Sequence, residues 1–185
     1  MTYDTARALI ESRLKDRLIV ALEGGAASGK TTLAAQLAAH FHAPVIAMDD
    51  FFLPSSLRTA QRFAQVGGNI HYERFNEQVS DAVRNRRPIQ YDAFDCHAGK
   101  IRERILIPEE QPLVLVEGVY SLHPLFRDIY DLRIFLRTAP ETQDARLRAR
   151  GDWLYRRFQA EWLPLEKAYF DSEDWAALCD AVLDT

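Results

Sequence analysis

The chain has 185 residues, 48% of them hydrophobic and 27% charged, with only 8 Gly and 8 Pro, which excludes disordered, collagen-like and low-complexity classes. Its 23 Lys and Arg against 27 Asp and Glu leave a formal charge of −4, so there is no global basic field for nucleic acid or an anionic membrane, and phosphate recognition has to be local. One domain spanning 1–185 is expected at this length.

Residues 1–10 carry Asp4 and lack the basic-then-apolar layout of a secretory signal, and no apolar run reaches membrane-spanning length. A cytoplasmic location is the expectation. Leu18-Ile19-Val20-Ala21-Leu22 reads as a buried strand running into the turn Gly24-Gly25. A helix is predicted over 31–42, where Leu33, Leu37 and Phe41 recur on one face and Pro44 ends the segment. Val45 to Met48 reads as a second strand that delivers Asp49 and Asp50 at its exit.

Residues 54–69, polar and containing Gly67-Gly68, are expected to form a mobile loop. A helix follows on Phe75, Val79, Ala82 and Val83, with Arg84, Arg86 and Arg87 in its last turn and Pro88 as its stop. Strands are predicted over 89–94 and 101–107 around a polar turn. Leu113 to Val116 is the clearest buried strand and carries Glu117-Gly118 at its end, and 132–136 is another. Thr138-Ala139-Pro140-Glu141 has the form of a capping box ahead of an Arg-rich helix over 144–150, broken at Gly151. A long aromatic helix over 153–170 is expected to bend at Pro164, and Ala181-Val182-Leu183 is expected to close the sheet. Strands alternating with helices predict a three-layer α/β sandwich with a mostly parallel sheet and ligands beyond the strand ends. Cys96 and Cys179 read as reduced thiols without a chemical role.

Gly24-Gly25-Ala26-Ala27-Ser28-Gly29-Lys30-Thr31, followed by Thr32, fits G-x-x-x-x-G-K-[ST] between a predicted strand and a predicted helix. Small residues let successive backbone N–H groups curve around phosphate, Lys30 reaches the β and γ oxygens, and the Thr31 hydroxyl suits a magnesium ion. Average residue frequencies produce such a pattern by accident in roughly one chain in a hundred or fewer.

Asp49 is placed to accept the proton of an attacking hydroxyl or to hold metal, with Asp50 as competitor because neighbours on a strand face opposite ways. Glu117 stands where an acidic group would hold Mg²⁺ directly or through water. Arg146 and Arg150, with Arg148, Arg156 and Arg157 nearby, suit a lid over 140–158 that closes on phosphates and neutralises developing charge. Tyr91, Asp92 and His97 combine an aromatic face with hydrogen-bonding groups and are the candidates for binding a polar ring or sugar. Aromatic area at Trp153, Tyr155 and Trp162 suits either lid packing or a homo-oligomer surface.

Together these segments resemble the uridine kinase and phosphoribulokinase family of P-loop kinases, particularly its bacterial uridine kinase-like members. The resemblance rests on the P-loop, Met48-Asp49-Asp50-Phe51-Phe52, Gly67-Gly68-Asn69, Tyr91-Asp92, Val116-Glu117-Gly118-Val119-Tyr120 and Trp162-Leu163-Pro164-Leu165-Glu166. It implies a P-loop nucleoside triphosphate hydrolase fold, ATP and Mg²⁺ as cofactors, and a small-molecule hydroxyl acceptor. It also implies Asp49 as base and Glu117 as metal-binding acid. In the family's nucleoside segment Tyr91 and Asp92 match, but Ala93 intervenes before Phe94 and His97 falls one residue late, so base specificity is not carried over. Pantothenate and sugar phosphates are handled on related scaffolds. A nucleotide-binding regulatory switch or slow ATPase is the rival reading, although the chain has neither an N-K-x-D nor a D-x-x-G signature.

Overall fold

The computed structural model describes residues 2–95 and 98–185. Five strands form one sheet in the order β2-β5-β1-β6-β7, all pairs parallel: β1 (Leu18–Glu23), β2 (Val45–Ala47), β5 (Leu113–Glu117), β6 (Leu132–Arg137) and β7 (Ala181–Asp184). Strand alternation sorts its apolar residues between two cores. Ile19, Ala21, Val114 and Val116 face one side with Phe75, Val79, Tyr91, Tyr169 and Trp175. Leu18, Val20, Leu22, Leu115 and Ile134 face the other, against Ala6 and Ile10 of α1 (Thr2–Arg13) and Leu33 and Leu37 of α2 (Lys30–Phe41). A parallel sheet covered on both faces explains why its strands read as continuous apolar runs. The expected three-layer α/β fold is present.

Several local expectations are corrected. The N-terminal segment, for which no element is predicted, forms α1, whose buried positions Ala6 and Ile10 lie four residues apart. The strand before Asp49 stops at Ala47, and Met48–Phe51 is a 3₁₀ turn. Residues 54–69 contain a 3₁₀ turn (Ser55–Leu57) and the short helix α3 (Ala60–Phe63). Arg62 ties that loop down by donating to the carbonyls of Gly68 (3.0 Å) and Ile70 (2.8 Å) and to both oxygens of Glu73.

The helix after it begins at α4 (Tyr72–Phe75) and passes through a π turn (Asn76–Ser80) into α5 (Asp81–Arg84), leaving Arg86 and Arg87 beyond its end rather than in its last turn. The next two strands, β3 (Ile89–Asp95) and β4 (Lys100–Ile107), do not join the main sheet; they pair with each other as an antiparallel hairpin. The capping box does not form: Ala139 caps α6 (Pro140–Arg148) without a side-chain bond, and the Thr138 hydroxyl pairs with that of Thr185 at 2.6 Å. The aromatic segment is divided into α7 (Asp152–Arg157), a π turn (Phe158–Trp162) and α8 (Leu163–Phe170). Its irregularity falls just before Pro164, where the missing proline N–H would otherwise interrupt the α-helical ladder. Cys179 is a free thiol that burial pushes up to about 12; Cys96 and His97 lie outside the described residues. No described helix is long and apolar enough to cross a membrane.

Candidate active site

The five parallel strands direct their carboxyl ends to one edge, and the chemically informative residues gather there. Gly24 leaves β1 at φ 147°, and a Cβ at that position would lie 2.5 Å from the Leu136 carbonyl oxygen, so only glycine lets the chain turn against β6. Ala27 (φ 57°) and Gly29 (φ 91°) then curl the loop into the first turn of α2. Lys30 is buried, with Nζ donating to the Gly25 carbonyl at 2.8 Å and to Ser28 Oγ at 3.4 Å. Burial lowers its pKa, while the negative fields of Glu23, Glu117, Glu166 and Asp49 oppose that shift.

The loop separates two cavities. An open groove of about 670 Å³ runs along residues 27–33, walled by Tyr3, Leu136, Arg146 and Arg150. A narrower cavity of about 300 Å³ lies on the other side, among Asp49, Asn69, Glu117, Tyr120, Phe158 and Trp162. Lys30, Thr31 and Arg150 line both. Thr31 Oγ1 donates to Glu117 Oε1 at 3.0 Å, which places two of the three expected metal-binding residues together. Gly118 follows at φ 142°, where a Cβ would come within 2.6 Å of Met48 Cβ; the close approach brings the end of β5 beside the Asp49 turn.

Asp49 and Asp50 diverge, but on a 3₁₀ turn rather than a strand. Asp49 lines the narrower cavity, and burial raises its pKa against the fields of Lys30 and Arg150. Asp50 instead accepts from the Tyr91 hydroxyl at 3.3 Å and meets Arg102 at 3.5 Å. Arg146 donates to the Ala27 carbonyl at 3.1 Å, and Arg150 stands between the cavities. Arg148 is turned away onto Asp144 at 2.7 Å, and Arg157 pairs with Glu161 at 2.9 Å.

Two sequence candidates for acceptor binding do not reach the cavity. Tyr91 is buried in the core, its ring stacked 5.3 Å from that of Phe51. Asp92, on the opposite face of β3, accepts from Arg104 Nε at 2.7 Å. His97, the third, lies outside the described residues. Of the surface aromatics, Trp162 turns its ring to Phe158 and lines the cavity, Tyr155 donates to Asp144 at 2.6 Å, and Trp153 stays exposed beside Arg157.

Three polar residues at the site were not singled out from sequence as site residues. Glu166 accepts from the Ala26 N–H at 2.9 Å, and Gln143 donates to the Ala26 carbonyl at 2.9 Å. Glu23 is fully buried and accepts from the Gly24 N–H (2.8 Å), the Tyr169 hydroxyl (2.9 Å) and the Leu122 N–H (3.1 Å). Burial pushes Glu23 from 4.5 up to about 7, although its backbone partners, Lys30 and Tyr169 pull it down.

The folded protein therefore holds a proton on Glu23 that the unfolded chain releases from about pH 4.5 upward. The stabilisation this gives is complete below pH 4.5 and is lost as pH rises to about 7. Urea melts across that range should show a decline that Glu23→Gln flattens by about 3 kcal/mol; equal slopes in both proteins would contradict the shift.

The residues at the loop also fit a magnesium ion. Thr31 and Glu117 offer hard oxygen donors, with Asp49 near them, and Mg²⁺ takes few protein ligands and completes its shell with phosphate oxygens and water.

Fold and loop together define the class: a three-layer α/β P-loop fold of the kind that P-loop kinases share. No protein-family model matches the chain. In sequence it is similar to uridine-cytidine kinase C of Dictyostelium discoideum, with 25% identity over 132 residues, 69% of this chain and 29% of that protein. The match thus spans less than a third of that relative's length. In structure it is similar to a possible uridine kinase from Bacillus stearothermophilus, at TM-score 0.77 and 18% identity, covering 99% of this chain and 97% of the other. Shikimate kinase from Acinetobacter baumannii is more distant, at TM-score 0.51 and 16% identity, covering 97% and 87%. The resemblance to uridine kinase-like proteins is therefore found in both sequence and fold.

Proposed function

We propose that the protein is an ATP- and Mg²⁺-dependent kinase that transfers the γ-phosphate to a hydroxyl of a small, nucleoside-like acceptor. The observation that carries this reading is the placement of Asp49: it lines a small aromatic-walled cavity into which Lys30, Thr31 and Arg150 also face from the phosphate groove. A nucleotide laid along residues 27–33 and an alcohol in the cavity would meet at that shared wall.

Each residue then has a role suited to its position. The backbone amides after Ala26 and the N-terminus of α2 cradle phosphate. Lys30, Arg146 and Arg150 stabilise charge on the transferred group, the two arginines as part of an Arg-bearing lid formed by α6 and α7 within a single kinase domain. Asp49 orients the acceptor hydroxyl and takes its proton as the oxygen attacks phosphorus. Thr31 and Glu117 would hold Mg²⁺, which when bound neutralises charge on the phosphates. Phe52, Tyr120, Phe158 and Trp162 offer flat apolar faces to a ring-bearing acceptor. Tyr120 holds its place at φ 76°, backbone strain of the sort that accumulates at ligand sites.

The likeness to uridine-cytidine kinase C and to a possible uridine kinase supports phosphoryl transfer. The test is ADP release from ATP and Mg²⁺ across nucleosides, pantothenate, sugars and sugar phosphates, with each product confirmed by mass. Acceptor-dependent ADP with a matching phosphorylated product is expected from a nucleoside. A product from pantothenate or a sugar phosphate alone would keep the kinase and change its acceptor. Tight ATP binding with only acceptor-independent hydrolysis would replace the kinase with a switch or slow ATPase.

A further inference from the structure

The first turn of the phosphate loop is held from behind by the helical segment that follows β6. Glu166 and Tyr169 lie three residues apart on α8 and share one face. Tyr169 donates to Glu23 Oε2 at 2.9 Å, and the other oxygen of Glu23 accepts from the Gly24 N–H at 2.8 Å. Glu166 Oε2 accepts from the Ala26 N–H at 2.9 Å, while Gln143 of α6 donates to the Ala26 carbonyl at 2.9 Å. Both polar backbone groups of one alanine are therefore bound by side chains more than a hundred residues away in sequence.

This arrangement decides which amides can meet a nucleotide. The Ala26 N–H is committed to protein, so the cradle for phosphate has to be built from the amides that follow it. Their direction depends on how Ala26 is set, because each peptide unit is planar and rigid. Glu166 is an expensive choice for a merely structural contact. Burial raises its pKa, and Asp49 adds a like charge nearby, against the pull of the Ala26 N–H, Lys30 and Arg150.

We infer that Glu166 is a positioning residue for the phosphate loop: it pins the Ala26 peptide and so aims the amides of Ala27, Gly29 and Lys30 into the nucleotide groove, the Ser28 N–H being bonded to the Gly25 carbonyl at 3.2 Å. The role rests on the nucleotide-site reading above and needs no contact between Glu166 and substrate. Since Glu166 also lines the narrower cavity, the same side chain joins the wall of the proposed acceptor site to the loop that holds the donor.

The experiment is a titration of wild type, Glu166→Ala and Glu166→Gln with a fluorescent N-methylanthraniloyl-ATP in the presence of Mg²⁺ and without acceptor, beside thermal melts. Glu166→Ala is expected to weaken nucleotide binding about tenfold or more, the effect of freeing a buried N–H. Glu166→Gln should bind within about threefold of wild type, since its amide oxygen can accept the same bond. Wild-type affinity in a folded Glu166→Ala would overturn the inference. So would a folded Glu166→Gln as weak as the alanine variant, because charge rather than positioning would then be responsible. If Glu166→Ala does not fold, Gln143→Ala decides, since it frees the carbonyl of the same residue from a half-exposed position: weakened binding supports the inference and unchanged binding overturns it. Absence of nucleotide binding in wild type would instead overturn the nucleotide site, and the positioning role with it.

Discussion

Asp49→Asn is expected to lower phosphoryl transfer by ~10²-fold or more while ATP affinity stays within a few-fold. Asparagine keeps the shape of the side chain and cannot take a proton. Burial raises the pKa of Asp49, and a stronger base is what an alcohol nucleophile needs; Lys30 and Arg150 act in the opposite sense. Nucleotide affinity is spared because the groove is walled by residues 27–33 and the lid arginines, with Asp49 on the other side of the loop. Initial rates of ADP formation with the acceptor identified by the panel, beside a nucleotide titration, measure both quantities. Unchanged turnover would move the base elsewhere. Asp50 would be next, although its carboxylate is already engaged by Tyr91 and Arg102.

Lys30→Ala is expected to lower turnover by about 10²- to 10³-fold, the scale of losing one charged group aimed at the transition state. It should also weaken ATP binding by about tenfold or more. Two effects add here. The variant loses the cation that reaches the phosphates, and it leaves Glu23, Glu117, Glu166 and Asp49 without the positive charge all four face. Their combined field would then repel a polyanionic ligand. The same excess of negative charge predicts a lower melting temperature, since removing one partner from a buried ionic group costs about 3–5 kcal/mol. Titration and melting should be run on one preparation, so that lost binding can be separated from lost fold. Normal binding together with normal turnover would sink the role given to the loop.

The main sheet was legible because its strands are covered on both faces: Leu18 to Leu22 and Leu113 to Val116 appear as unbroken apolar runs. The phosphate loop was legible because its residues are contiguous. What sequence could not supply were contacts between distant segments. Gln143 and Glu166 reach the loop across 117 and 140 positions, while Glu23, next to the loop in sequence, is fixed by Ser121 and Tyr169, 98 and 146 positions away, and no local spacing announces these bonds. Tyr91 and Asp92 show the converse. Their composition suited a binding segment, but β3 belongs to a hairpin whose inward face packs Tyr91 and Ala93 into the core and whose outward face gives Asp92 to Arg104. For α1 the signal is Tyr3, Ala6 and Ile10, at spacings of three and four, too short and too polar a stripe to stand out beside the apolar strands. The capping motif failed because the Thr138 hydroxyl is engaged by Thr185 at the far end of the chain.

The position of β1 at the centre of the sheet also shapes how the chain must fold. Leu18 pairs with Leu113 and Val20 with Leu132, so during synthesis β1 finds neither of its neighbours until segments far downstream of it have been made. Closing loops of that length has to precede any reward from sheet hydrogen bonds, an entropic cost that slows the assembly of the sheet. Until then, the β1 segment presents an apolar run with unpaired edges, the condition under which a nascent chain depends on chaperones to avoid aggregation.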